Sequence, residues 1–385
     1  MKIFAIGFGQ AGGKLVDLFV EFDKRTRQNC IVRALAINTA KADLLGLKHI
    51  PMEDRLLIGQ SRVKGHGVGA DNELGAKVAA EDIYSIQNAI DKRGTHQTDA
   101  FFIIAGLGGG TGSGGAPVLA RRLKKLYMEP VYGLGILPSR DEGGLYSLNA
   151  ARSFMSFVKE VDNLFLFDND AWKREGESLK DAYALMNEEI VRRFSILFGA
   201  GESNEVGQMV VDVSEITNTL KGGGVSTVGY AMEPVVGKKK GIFGRFKKEK
   251  QSMDTLDTTA RILSLMRRAV MGRLTIQCDI STAEKALIVM AGPPDELNRK
   301  GMEKAKLWLE DLIKGAEVRG GDYPVPKSNK VAAVAVFSGV TDVPRIKELQ
   351  KMALEAHETI KEVESKKDEK FEELLDTDES LKPLI

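Results

Sequence analysis

The chain has 385 residues, 43% of them hydrophobic, with 55 basic against 54 acidic side chains and a formal net charge of +1. That length suggests two domains, or three at the outside, and the balanced charge supplies no basic field of the kind that nucleic acid demands. Two distant cysteines, Cys30 and Cys278, argue against a disulfide framework or a zinc site and fit a cytoplasmic setting, and the four histidines are scattered without metal-ligand spacing; no apolar run reaches the roughly 18 residues of a membrane span.

The opening Met1-Lys2-Ile3-Phe4-Ala5-Ile6-Gly7 is too short and too soon broken by glycine for a secretory leader, and reads as a first buried strand. Further apolar runs predict strands at 34–37, 101–105, 131–136 and 164–167. Helical spacing falls between them at 12–22, 74–80 with 83–91, 117–125 and 145–161. This alternation predicts an α/β domain with a doubly wound parallel sheet over 1–176, with ligands at the carboxyl ends of its strands.

Glycine loops occupy those ends. Gly7-Phe8-Gly9-Gln10-Ala11-Gly12 follows the first strand and matches a dinucleotide fingerprint. The second strand, however, ends in Ile37-Asn38-Thr39-Ala40, without the acid that would hold a ribose. Gly65-His66-Gly67-Val68-Gly69-Ala70-Asp71-Asn72 forms another glycine-punctuated segment. Gly106-Leu107-Gly108-Gly109-Gly110-Thr111-Gly112-Ser113-Gly114-Gly115 stands between a buried strand and a helix. Its backbone amides, the hydroxyls of Thr111 and Ser113 and the helix N-terminus make an anion site. No Lys-Ser/Thr follows, so it is not a Walker A loop. Three such loops would converge on one nucleoside triphosphate.

A long helix is expected over 177–200, then a loop region over 201–224 holding Asp212, Glu215 and Gly222-Gly223-Gly224. A smaller α+β domain follows over 225–367. It has helices at 256–272 and 296–314, strands at 274–278, 286–291 and 330–337, and a charged helix at 343–366. Residues 368–385 read as an acidic, mobile tail. The basic stretch 238–250 reads first as a solvated loop; Ile242, Phe243 and Phe246 among its lysines also fit a weak contact with an anionic membrane surface.

The complete GGGTGSG run at Gly108–Gly114, the segment Asp212-Val213-Ser214-Glu215-Ile216 and the segment Pro138-Ser139-Arg140-Asp141-Glu142-Gly143 together resemble the tubulin/FtsZ superfamily, nearest its archaeal CetZ proteins. The resemblance implies a Rossmann-like GTPase domain, a long central helix and a smaller α+β domain. It implies GTP or GDP as ligand, with Mg²⁺. By the same resemblance Gly9, Gln10, Ala11, Gly12 and Gly13 contact nucleotide, and Gly108, Gly109, Gly110, Thr111, Gly112, Ser113 and Gly114 cradle its phosphates. Ala70, Asp71 and Asn72 sense the γ-phosphate, and Glu142 binds ribose. Asn169 and Asn187 read guanine, with Tyr183 stacked on the base. The i, i+4 spacing of Tyr183 and Asn187 independently puts both on one helix face.

Asp212 and Glu215 alone read as an ordinary helix-start pair. The resemblance makes them catalytic acids that reach into the site of the next subunit. It implies head-to-tail filaments, assembly-coupled GTP hydrolysis and control of cell shape. Two departures separate the chain from FtsZ: Tyr146 stands where FtsZ has an arginine, and Val210 where it has an asparagine. A dinucleotide-dependent enzyme and a non-hydrolysing nucleotide-gated scaffold are the competing readings.

Overall fold

A computed structural model describes residues 1–173, 176, 178–202, 210–235, 247–313 and 315–375. Ten strands, β1 (Ile3–Phe8), β2 (Ile31–Asn38), β3 (Arg55–Leu57), β4 (Ala100–Gly106), β5 (Val131–Leu137), β6 (Asn163–Asp168), β7 (Val225–Pro234), β8 (Lys285–Gly292), β9 (Glu317–Pro324) and β10 (Lys330–Val340), form one sheet. Their order is β3-β2-β1-β4-β5-β6-β7-β10-β8-β9. The first six strands are mutually parallel, so all six carboxyl ends meet at one edge. β10 is antiparallel to both β7 and β8. The expected parallel domain and α+β domain are thus halves of one continuous sheet.

β7 joins β6 through only Leu164 with Val225 and Phe165 with Ser226. Beyond these the strands splay, and Thr275 fills the gap. Its amide donates to the Val228 carbonyl at 3.0 Å, and its carbonyl accepts from Asp168 at 2.9 Å. The expected strand at 274–278 is therefore a single-residue splice between two diverging strands.

The helices are α1 (Gly9–Thr26), α2 (Lys41–Leu45), α3 (Gln60–Val63), α4 (Asn72–Glu81), α5 (Ile83–Arg93), α6 (Thr111–Leu126), α7 (Gly144–Glu160), α8 (Asn169–Trp172), α9 (Leu179–Ala200), α10 (Val213–Leu220), α11 (Lys247–Met271), α12 (Arg299–Leu312) and α13 (Pro344–Leu375). α9 lies on one face of the sheet, fixed by aromatic packing. Phe194 meets Phe165 edge-on with centroids 4.9 Å apart, and Phe198 meets Phe102 at 5.1 Å. Each fully buried phenylalanine contributes about 1.5–3 kcal/mol. α6 and α7 pack on the opposite core.

Several helix expectations change. α6 begins at Thr111 rather than 117, because its glycines are helical. Pro117 then has no amide for the Ser113 carbonyl, and the Ser153 hydroxyl takes that place at 2.7 Å. α1 likewise starts at Gly9. The expected loop over 201–224 contains α10. The final helix runs on to Leu375, since no glycine or proline interrupts the chain between Pro344 and that point, so 368–375 is helix rather than tail. Residues 376–385 lie outside the described residues, as do 238–246 of the basic stretch; 247–250 open α11. No helix among the described residues is long and apolar enough to cross a membrane.

Candidate functional site

The carboxyl edge of the parallel strands opens into a cleft of about 470 Å³, within the range of small-molecule sites. Two long helices aim their N-termini into it. α1 begins at Gly9 directly after β1, and α6 begins at Thr111 directly after the glycine run. Neither has a side-chain cap or an acid in its first turn. Five other helices carry a side-chain cap, from Asp71, Asp168, Ser178, Asp212 and Asn298, while α2, α3, α5 and α7 also begin without one. Two uncapped N-termini converging on one cleft present unpaired amides and partial positive charge, the requirement for a polyphosphate.

The glycines there are needed for close approach. Gly9 has a φ of +75°, and a Cβ on it would lie 2.8 Å from the Gly112 amide; a Cβ on Gly112 would lie 2.7 Å from the Phe8 carbonyl. The two glycine loops thus touch backbone to backbone. Gly109 differs: nothing lies within 4 Å of its Cβ position, and it lines the cleft.

Gly9, Gln10 and Ala11 line the cleft, as do Ala70 and the run from Gly108 to Gly112. Gly12, Gly13, Asp71, Asn72, Ser113 and Gly114 stand behind that wall. Gly12 presses on the Ile104 carbonyl, and Gly114 on the Asn72 carbonyl. Asp71 caps α4 by accepting from Leu74 at 2.9 Å. The Ser113 hydroxyl turns back to the Gly109 and Gly110 carbonyls instead of facing a ligand, and the Thr111 hydroxyl pairs with that of Thr39 at 2.7 Å.

At the far end of the cleft stand Glu142, Asn169, Tyr183 and Asn187. Glu142 accepts from the Ser139 amide at 2.7 Å, which fixes its loop. Asn169 opens α8 at the end of β6. Tyr183 and Asn187 come from the first turns of α9. Asp168, beside Asn169, is buried, which pushes its carboxyl above the usual range against the pull of Arg345 and Arg140.

Lys14 and Asp43 on the wall and Asn149 behind it carried no sequence signal of their own, and Tyr146 joins them at the site. Lys14 lies one helical turn inside α1, and Asp43 accepts from the Gln10 amide at 2.9 Å and the Asn38 amide at 3.0 Å. Tyr146 lines the cleft beside Gly108. Asn149, buried on α7, donates to the carbonyls of Ala70 at 2.6 Å and Gly108 at 3.0 Å, tying two of the loops together. Among the described residues no group of three or more His, Cys, Asp or Glu side chains could hold a metal alone. Gln10 and Asp43 nevertheless place side-chain oxygens on the wall, which suits Mg²⁺ arriving with phosphates and water, whereas Asn38 Oδ1 is spent on the Thr39 and Ala40 amides.

Asp212 and Glu215 are not in the cleft. α9 is 22 residues and so about 33 Å long. Tyr183 near its start lines the cleft; Phe198 near its end accepts from the Met1 amino group, at the opposite edge of the sheet, at 2.8 Å. α10 starts at that second edge, where Val213 and Met1 both crowd Gly201. Asp212 caps α10. Its carboxyl is held below the usual range by the Ser214 hydroxyl and the Glu215 amide. Glu215 is raised, first by burial and then by Asp212.

Comparison with known proteins places this geometry. Residues 2–176 match the profile of the Tubulin/FtsZ family, GTPase domain, and residues 176–355 that of the Tubulin-like CetZ, C-terminal domain. The chain is 60% identical to the tubulin-like protein CetZ1 of Haloferax volcanii over 94% of each chain. The solved GDP-bound monomer of CetZ1 superposes with a TM-score of 0.84 at 59% identity, covering 93% of this chain and all of that one. A GTPγS-bound protofilament of Haloferax volcanii CetZ2 gives 0.83 at 42% identity, covering 94% and 100%.

Proposed function

The chain belongs to the tubulin/FtsZ family, in its CetZ branch, and from that premise we propose that it is a cytoplasmic, filament-forming GTPase whose active site is completed by the next subunit. One observation carries the reading: the cleft and the Asp212/Glu215 pair lie at opposite edges of one sheet. A single chain cannot bring them together. A second copy stacked head-to-tail would, and such heterologous contacts propagate as open filaments when the rotation does not close.

The two α-helix N-termini and the loop amides hold the phosphates of GTP, and Gly9–Gly13 and Gly108–Gly114 keep that cradle narrow. Glu142 takes the ribose, and Asn169 with Asn187 the guanine edge, under Tyr183. Mg²⁺ held beside Gln10 and Asp43 would neutralise phosphate charge. The incoming edge supplies two carboxylates with opposed environments. Asp212 stays ionised and orients; Glu215, with its raised pKa, is the better proton acceptor for the attacking water. Loss of the γ-phosphate then removes charge from the interface and loosens it. The filament serves as a cytoskeletal element controlling cell shape, the role implied by its family.

Nucleotide competition separates this from a dinucleotide enzyme: GTP and GDP displace a bound fluorescent guanine nucleotide and NAD does not. Displacement by NAD alone would overturn the reading. Phosphate release that rises with assembly separates it from a non-hydrolysing scaffold.

A further inference from the structure

Arg345 sits in the first turn of α13, in the C-terminal half of the chain, yet its side chain ends at the nucleoside end of the cleft. It is 5% exposed. Its guanidinium donates to the Pro138 carbonyl at 2.9 Å and through Nε to Asp168 Oδ1 at 3.3 Å. Pro138 lines the cleft and leads into the loop carrying Glu142; Asp168 immediately precedes Asn169. One planar group therefore bridges the segments that carry the ribose-side and base-side residues. Glu348, one turn further along α13, lies 3.3 Å from Arg345 Nη1. Glu348 also receives a bidentate pair from Arg140, at 2.5 and 2.6 Å. Arg140 in turn donates its amide to Asp170 at 3.0 Å and pairs with that carboxylate through its guanidinium. None of these side chains lines the cleft, so none is a ligand contact.

We propose that Arg345, supported by Glu348, is a positioning residue that sets the spacing between the Glu142 loop and Asn169 and thereby controls recognition of the nucleoside, leaving the phosphate cradle untouched. The proposal rests on the guanine-nucleotide reading above. Fork geometry is essential to it: lysine supplies a point charge and cannot bridge the Pro138 carbonyl and the Asp168 carboxylate together. α13 packs along α7, where Ala356 approaches Gly144 so closely that a Cβ there would lie 2.9 Å away. The docked helix thus transmits its position to the start of α7, two residues beyond Glu142.

The test measures displacement of a fluorescent GDP analogue by GTP, ATP and inorganic tripolyphosphate, in the full chain and in Arg345→Lys and Glu348→Gln. For Arg345→Lys we expect GTP affinity to fall about tenfold, the scale of a sub-ångström misplacement of contacts. The preference for GTP over ATP should fall with it, while tripolyphosphate displaces as in the wild type. The Glu348 side chain is 37% exposed, so Glu348→Gln should fold, and it should shift the same ratio in the same direction by a smaller factor. A merely structural role would weaken all three ligands together, so an unchanged GTP-to-ATP ratio in the folded variants overturns the proposal. If the wild type itself shows no preference for GTP, the guanine reading falls, and this inference with it.

Discussion

Asp212 accepts a hydrogen bond from the Glu215 amide at 3.0 Å, so one acid of the pair fixes the backbone from which the other projects. Asp212 therefore has two separable duties, capping α10 and presenting charge. Asp212→Asn keeps a cap of comparable quality and should leave the thermal midpoint nearly unchanged while lowering GTP turnover. Asp212→Ala should lower turnover and also destabilise the fold by about 1 kcal/mol, the usual value of an N-cap. Thermal melts beside phosphate release check both.

Glu215→Ala should retain GTP binding, because the residue is remote from its own chain's cleft. Turnover should fall about a hundredfold, as when one preorganised electrostatic group is removed from an active site. Filaments should persist, since the γ-phosphate stays in place at the interface. Nucleotide affinity, phosphate release and light scattering on the same preparation decide this, and wild-type turnover would mean that the acid is misassigned.

The raised pKa of Glu215 predicts an acid limb. As pH falls, Glu215 takes up its proton above the ordinary glutamate range, while Asp212, held low, remains ionised. Turnover per assembled subunit should therefore decline over that range with nucleotide binding intact. For stability the sign is opposite. A raised folded-state pKa means the fold favours the protonated form, so this contribution is present below the ordinary glutamate range and lost as pH rises through the raised value. Glu215→Gln should accordingly flatten the residual pH dependence and not lower the thermal midpoint at neutral pH.

Gly109 and Gly112 should separate ligand space from structural space. Gly109→Ala meets nothing in the protein, so the fold should hold within about 0.5 kcal/mol, the usual range of substitutions that disturb no packing; any loss of GTP affinity then reports a methyl group in the ligand's place. Gly112→Ala drives a Cβ into the Phe8 carbonyl, so it should lose both GTP binding and several degrees of thermal midpoint. Equal stability losses in the two variants would contradict this division of the loop.

The cleft was legible in the sequence because its chemistry is backbone chemistry. Glycines between a buried strand and a helix mean close approach wherever they occur, and strand alternation alone sends such loops to one edge. The second half of the sheet was harder to see. β9 reads Glu317-Val318-Arg319-Gly320-Gly321-Asp322-Tyr323-Pro324, too polar and too rich in glycine for a strand by pattern, yet a Cβ on Gly320 would lie 2.2 Å from Ile288. In β7, Gly229 breaks the apolar run because the Ala269 carbonyl presses on it at 2.1 Å from the Cβ position. In both, glycine records a neighbour packed from another part of the chain, which a local window cannot contain. Asn149 and Arg345 escaped for the same reason: each acts on acceptors distant in sequence, two backbone carbonyls for Asn149 and a carbonyl and a carboxylate for Arg345. The hydroxyl of Ser113 illustrates the converse, a donor expected at the ligand that is spent within its own helix turn.

The central claim is that one chain holds the nucleotide and its neighbour completes the site, and mixing tests it most directly. A chain carrying Gly112→Ala keeps Asp212 and Glu215 but has a damaged cleft. A chain carrying Glu215→Ala keeps the cleft but lacks the acid. Each alone should release phosphate slowly. Mixed, the intact cleft of one faces the intact acids of the other, and phosphate release should rise well above the sum of the separate rates. A mixed rate no greater than that sum would contradict a site shared between subunits.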